Sequence, residues 1–410
     1  MAVSAALLST ARTFAGDQMT ESELAQIPIQ QLFAGEDRTA LQWDVRAADL
    51  GLTYFQRLGG AVVVRVPAKQ LFARLGAGWL IVVVHVTDAA GHMYAMHITH
   101  DLTKWKLPTD ADQVAFRFDA FVLPGDYTVA VMLYDSATKE SNLKHLKLRV
   151  AAAGDHPLPD EWNGLPAIEF WPGDSPYSAS SRLNLILKNQ RPARIEIILN
   201  TSLTQPVGQF RAIYLVNLDC LLPQSDVLGQ MRAGNALPDV TVLDLAKQQV
   251  LLDSDTVNTL DWSQVRSNLS SSATDTISVN ELRAQKDVAR FFVDQVERRI
   301  SPEASANSSS DQNVRVLIVL SGPMAFSTTQ DMSHALPCAN GECKAYYIRS
   351  HVLPPLNHHD IANYYGVWGD WETDELERTL ASLNPRVFDV YSPEDFQKAI
   401  ATIISDSANW

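Results

Sequence analysis

The chain has 410 residues, of which 46% are hydrophobic and 20% charged, and a formal charge of -14. Two domains are expected, because that length exceeds what one growing core accommodates, and the composition is that of a globular protein. The acidic balance opposes binding to phosphate backbones or anionic lipid, and no apolar run reaches the roughly 18 to 20 residues of a membrane span. Neither nucleic acid nor a membrane span is therefore expected.

Residues 1–15 contain a short apolar segment, Ala2 to Leu8, and Thr13-Phe14-Ala15 ends in the small-residue pattern that precedes signal-peptidase cleavage. The basic n-region is missing. The stretch reads as an export signal without its first residues, or else as the start of a modest helix. Export with cleavage near Ala15 implies a periplasmic or extracellular protein. In the lead-in segment 16–50, Thr20 and Glu23 have the spacing of a capping box.

Residues 51–152 change to short β-rich runs separated by turn clusters such as Asp88-Ala89-Ala90-Gly91 and Pro124-Gly125-Asp126. In Val114-Ala115-Phe116-Arg117-Phe118 the two Phe share one face and Arg117 takes the other. The segment from Pro124 to Val131 resembles the turn and penultimate strand of immunoglobulin-like or fibronectin-like sandwiches, where a Tyr such as Tyr127 packs at the corner. An all-β immunoglobulin-like sandwich is expected. Residues 153–180 are rich in Pro, Gly and Ser without a period and read as a linker lying against a domain surface through Trp162, Phe170 and Trp171.

From 181 to 410 strand and helix periods alternate. Runs at 183–188 and 194–199 read as strands, and a helix within 210–231 must be interrupted or begun by Pro223. A hairpin is expected over 239–254, a long amphipathic helix over 279–300, and a mostly apolar central strand at 314–320. A strand near 344–353, a helix around 370–383 and the strand "RVFDVY" come next, and Ser392-Pro393-Glu394-Asp395 opens a terminal helix. The fold class expected here is α/β, doubly wound and Rossmann-like, with a largely parallel sheet.

The order strand-NTSLT, helix, hairpin, long helix, "VLIVLSGP", "YYIRS", "LNPRVFDVYSPEDF" resembles von Willebrand factor type A (VWA) domains, and more closely the degenerate VWFA-related group described from Acidobacteria. The likeness covers about Asn184 to Asp406. It implies a divalent-ion site on a D-x-S-x-S loop, a Thr of a second loop and an Asp of a third, all at the carboxyl ends of the central strands. Matched residue by residue, Asn200, Ser202 and Thr204 fall on the first loop, Thr274 or Thr276 on the second, and Ser321 replaces the Asp of the third. Both expected carboxylates are gone, and a hard cation such as Mg²⁺ is usually held by at least one. A degenerate adhesion site without a cofactor is therefore expected, its hydroxyls capping the following helix, unless Asp275 or Asp331 rebuilds a divalent-cation site.

Asn340-Gly341 between Cys338 and Cys343 suggests a disulfide-clipped hairpin, and Cys220 reads as a buried free thiol. His334, His351, His358 and His359 beside those cysteines match no usual zinc spacing. The stretch 363–375 concentrates Tyr364, Tyr365, Trp368 and Trp371 in a Gly-punctuated run, a candidate contact for an unknown protein partner. No phosphate-cradling glycine motif is present. The functional expectation is an exported, non-enzymatic interaction or adhesion module. A metal-dependent adhesion or assembly factor is the alternative, and a hydrolase using the 334–360 cluster comes last.

Overall fold

The chain is described from a computed structural model, for residues 19–33, 42–105, 112–152, 158, 160–171, 180–202, 211–254, 265, 285–300, 314–324, 332–333, 336, 343–351 and 374–410. It divides into two units: residues 1–53, 57–154 and 166–172, and residues 54–56, 155–165 and 173–410.

Among the described residues the first unit holds eight strands: β1 (Asp44–Leu52), β2 (Leu58–Pro67), β3 (Trp79–Thr87), β4 (Met93–Asp101), β5 (Gln113–Val122), β6 (Gly125–Asp135), β7 (Ser141–Val150) and β8 (Ile168–Phe170). They make two antiparallel four-stranded sheets, ordered β1-β2-β5-β8 and β4-β3-β6-β7. In β5 the expected alternation holds, with Val114, Phe116, Phe118 and Ala120 buried and Arg117 exposed. The strand β3 is buried on both faces because helices α1 (Glu21–Leu24) and α2 (Ile29–Phe33) cover one of them. Leu24, Ile27, Ile29, Leu32 and Phe33 pack on Ile81, Val83, Met132 and Tyr134. The capping box forms as spaced: Thr20 N donates to Glu23 Oε2 at 2.9 Å, and Glu23 N to Thr20 Oγ1 at 3.4 Å. A short helix α3 (Ala68–Phe72) comes directly after β2. At the β5–β6 corner the Tyr127 hydroxyl donates to Leu123 O at 2.7 Å, tying the new strand to the turn before it.

Two elements differ from the sequence reading. The strand β1 lies almost wholly in the stretch read as a lead-in, because it is half or fully exposed along its length and shows no apolar alternation. The strand β8 lies inside the supposed linker. Its three residues are too few for a period, and long-range contacts hold it: Glu169 forms a 2.6 Å ion pair with buried Arg57, whose guanidinium sits 4.4 Å from the Phe121 ring centre, and Trp171 lies against that same ring.

The second unit is built on one six-stranded sheet of β9 (Ala193–Asn200), β10 (Asp239–Asp244), β11 (Gln249–Ser254), β12 (Val314–Ser321), β13 (Cys343–Ser350) and β14 (Arg386–Val390). The order is β11-β10-β9-β12-β13-β14, parallel throughout except for the β10–β11 hairpin. Helices lie on both faces. On one side, α4 (Arg211–Leu228) brings Leu221, Leu222, Val227 and Leu228 to the core. On the other, α5 (Val288–Ile300) and α6 (Glu375–Leu380) pack Phe292, Val296, Leu376 and Leu380. The terminal α7 (Pro393–Asp406) shares the α4 face through Phe396, Ile400 and Ile403. Its start agrees with the sequence: Ser392 Oγ accepts from Asp395 N at 3.2 Å, with Pro393 at the first position.

Pro223 neither begins nor ends α4, which runs through it. An interior proline costs about 3 kcal/mol, and the fully or nearly buried leucines and valine on both sides outweigh that cost. The 183–188 run is not a strand. Leu183, Leu185 and Leu187 are buried in alternation with exposed neighbours, but the extended chain has a single bridge at Arg232, through Leu187 N and Leu185 O, each at 2.9 Å, while Leu183 N, Asn184 N and Lys188 N bond Gln230 Oε1, Glu161 O and Ser407 Oγ. Of the expected helix over 279–300, residues 279–284 lie outside the described part.

Candidate functional site

In an open α/β sheet, ligands meet the carboxyl ends of the strands where the winding reverses. Here that point falls between β9 and β12, which pair from Val314↔Ala193 to Leu320↔Leu199, so Asn200 and Ser321 step out of the sheet side by side. On the far side of β9, β10 ends at Asp244.

Asn200 is 1% exposed, and its amide orientation is fixed by what surrounds it. Its Oδ1 accepts from Ser202 N at 3.1 Å and Leu245 N at 3.4 Å. Its Nδ2 therefore points across the gap, donating to Ser321 Oγ at 2.9 Å and facing Met324 Sδ at 2.8 Å. Ser321 Oγ in turn donates a hydrogen bond to Gly322 O at 2.7 Å. Ser202 Oγ donates to Asp244 Oδ1 at 2.9 Å and accepts from Ala246 N at 2.9 Å, while Thr201 N and Oγ1 both donate to Leu243 O. Asp244 Oδ1 also accepts from Lys247 N at 3.1 Å.

A second knot lies beyond β12. Asp374 caps α6, its Oδ1 accepting from Leu376 N at 3.1 Å and Met324 N at 3.2 Å, and its Oδ2 from Tyr347 OH at 2.8 Å and Arg349 Nη1 at 3.3 Å. Arg349 also reaches Glu377 at 2.7 Å and grips Asp389 through Nε and Nη2 at 2.6 and 3.1 Å. Those bonds hold the Asp389 carboxyl below its usual range, with a further contribution from His351 at 2.6 Å. Burial pushes the Tyr347 hydroxyl well above its ordinary value. The His351 ring stacks on exposed Tyr391 with centroids 4.4 Å apart.

The donor set around Asn200 does not fit a resident divalent ion. The group that faces the gap is an N–H₂, and the amide oxygen that could ligate is turned onto two backbone donors. On opposite flanks, Asp244 has Oδ1 occupied by Ser202 and Lys247 N and Oδ2 3.7 Å from Lys247 Nζ, and Asp374 has both oxygens occupied. Among the described residues, no group of three or more His, Cys, Asp or Glu is placed to hold a metal ion.

Of the residues singled out by sequence, Asn200, Ser202 and Ser321 come together, with Ser202 bonded to Asp244, and the residues after Ser202, where its expected helix cap would lie, are outside the described residues. Thr204, Thr274, Thr276, Asp275, Asp331, Cys338, His334, His358, His359, Tyr364, Tyr365, Trp368 and Trp371 lie outside the described residues. Cys343 opens β13, and Cys220 on α4 is half-buried. His100 lies between Trp105 and Phe116, with its pKa pushed down to about 4 by burial. Asp101 accepts from Thr103 and pairs with Lys104. Asp244, Met324, Tyr347, Arg349 and Asp374 escaped the sequence reading. Asp374 alone carried a local signal, an Asp directly before the acidic first turn of a helix.

No family model matches the chain, and neither does any curated protein. Among solved structures, a structural-genomics target designated SoR45 aligns with 29% of this chain and 91% of its own length, at 13% identity and a TM-score of 0.18. A calcium-binding mutant of β-glucuronidase 2 from Bacteroides uniformis aligns with 88% of this chain at 11% identity and a TM-score of 0.17, and the alignment spans 44% of that enzyme. Likenesses this weak assign neither fold nor function. Among the described residues, no helix is long and apolar enough to cross a membrane.

Proposed function

We propose that the chain is a non-enzymatic protein-interaction module, an immunoglobulin-like sandwich followed by a VWA-like domain whose ion site has been closed by its own side chains. The strand order β11-β10-β9-β12-β13-β14 with one antiparallel edge hairpin supports the VWA-like part, and the Tyr127–Leu123 corner bond supports the sandwich. The carrying observation is the Asn200–Ser321 hydrogen bond, which occupies the place where the resemblance puts a cation. Recognition then falls to surface complementarity, with the aromatic run Tyr364, Tyr365, Trp368 and Trp371 as the contact and an exported, Cys338–Cys343-bridged chain as the working form.

The test is affinity capture from an envelope extract by the purified full chain, run in parallel with Mg²⁺ and with EDTA. The same partner is expected in both, and it should be lost when Trp368 and Trp371 are both changed to Ala. A partner recovered strictly with the divalent ion would overturn the closed-site reading.

A further inference from the structure

The edge strands of the two units are unequal. Exposed charges mark β1 (Asp44, Arg46, Asp49), β7 (Lys147, Arg149), β11 (Asp253) and β14 (Arg386, Asp389), and β8 has only three residues. Charges, bulges and shortness are how proteins keep sheet edges from pairing with other chains. The edge strand β4 has none of these devices. It runs nine residues, Met-Tyr-Ala-Met-His-Ile-Thr-His-Asp, and pairs with β3 without a register shift from Thr87↔Met93 to Trp79↔Asp101. Its one charge is the terminal Asp101, already engaged by Thr103 and Lys104.

The direction of its backbone groups is set by the hairpin. Asp88 N donates to His92 O and Leu102 N to Gly78 O, so those are hydrogen-bonded pairs of the ladder. Alternation then turns Tyr94, Met96, Ile98 and His100 toward β3, and points the N–H and C=O of Met93, Ala95, His97 and Thr99 outward. Met93 is 59% exposed, and Ala95 and His97 are exposed as well. Among the described residues no strand pairs with these outward groups; Thr99 is buried and its Oγ1 accepts from Met19 N, so the template for one more strand is open at Met93, Ala95 and His97.

We infer that β4 is the interface with a second copy of this chain, the two strands pairing antiparallel about a two-fold axis at His97. That axis sets Met93 opposite Asp101 and Ala95 opposite Thr99, and makes His97 its own partner, so the outward groups of one copy meet those of the other in register. It also sets the ends against opposite charge. The exposed Lys104 beside Asp101 comes to the Asp88–His92 turn of the second copy, and the contact occurs twice. Two four-stranded sheets thereby become one sheet of eight strands.

The experiment is the solution mass of the full chain, by light scattering across a concentration series at moderate salt. Twice the 45.3 kDa chain mass is expected at high concentration. Ala95→Pro removes an N–H that points away from β3, and His97→Lys places a charge on the axis; each should return the chain to single mass with its circular dichroism unchanged. His145→Lys, on the opposite edge strand β7, should leave the doubled mass intact. A wild-type chain of single mass at every concentration would overturn the inference. So would a doubled mass that survives His97→Lys together with any folded Ala95→Pro chain.

Discussion

The hydroxyl of Tyr347 lies 2.8 Å from Asp374 Oδ2, so a fully buried residue of β13 holds the cap of α6 in place. Asp374 has four donors and almost no contact with water. Replacing Asp374 by Ala strips Arg349 of one of three carboxylates and leaves Tyr347 and two backbone amides without that acceptor. Breaking a buried charged network of this kind costs about 3–5 kcal/mol. Urea unfolding should show that loss for Asp374→Ala and a markedly smaller one for Asp374→Asn, which keeps an acceptor for the helix cap.

Asn200 is matched to its surroundings as an amide, not as an acid. In Asn200→Asp the second oxygen replaces a donor that faces Ser321 Oγ and Met324 Sδ, and a buried charge appears without a counterion. The expected cost is about 1–3 kcal/mol. Millimolar Mn²⁺ or Mg²⁺ should leave the wild-type melting temperature unchanged. In the double variant Asn200→Asp with Ser321→Asp the same ions should raise it, because a ligand that binds only the folded form stabilises it. A wild-type chain that melts higher with the ions refutes the closed site.

Glu161 is 2% exposed, and its Oε1 accepts from Gln397 Nε2 at 3.2 Å. Burial pushes its carboxyl up to about 8 from an ordinary value of 4.5, more than the Gln397 bond lowers it. Between those values the folded chain holds a proton that the unfolded chain has released, so stability is fully present below 4.5 and falls as pH rises toward 8. The slope is at most about 1.4 kcal/mol per pH unit. Glu196, pushed up to about 7, adds a loss of the same sign in both chains. Glu161→Gln keeps the acceptor for Gln397 and should remove this part of the slope, so that the variant matches wild type at about pH 5 and becomes the more stable chain at about pH 9. Denaturation midpoints at the two pH values decide it, and parallel curves would refute the assignment.

Local signals carried much of the second unit. Ser392-Pro393 announced its helix through a cap and a preset φ, and the mostly apolar run at 314–320 announced a strand covered on both faces. Alternation misled at 183–188, where it marked extended chain on a core and no ladder, and Pro223 misled because tertiary burial outweighed a local penalty. The strand β8 was illegible, since Arg57 and Phe121, which hold it, lie far away in sequence. The same reason hid most of the candidate site. Asn200, Ser202 and Ser321 could be matched to a pattern, but Met324, Tyr347 and Arg349 join them only through the fold.

During synthesis, β8 leaves the ribosome only after residues 155–165, which belong to the other unit. A nascent chain that has reached Gly154 holds seven strands of the sandwich and an open flank on β5, and it lacks the Glu169 carboxylate that pairs with Arg57. Completion of the first unit is therefore paced by translation of a stretch of the second, and a gene fragment stopping at Gly154 encodes a sheet missing its last strand.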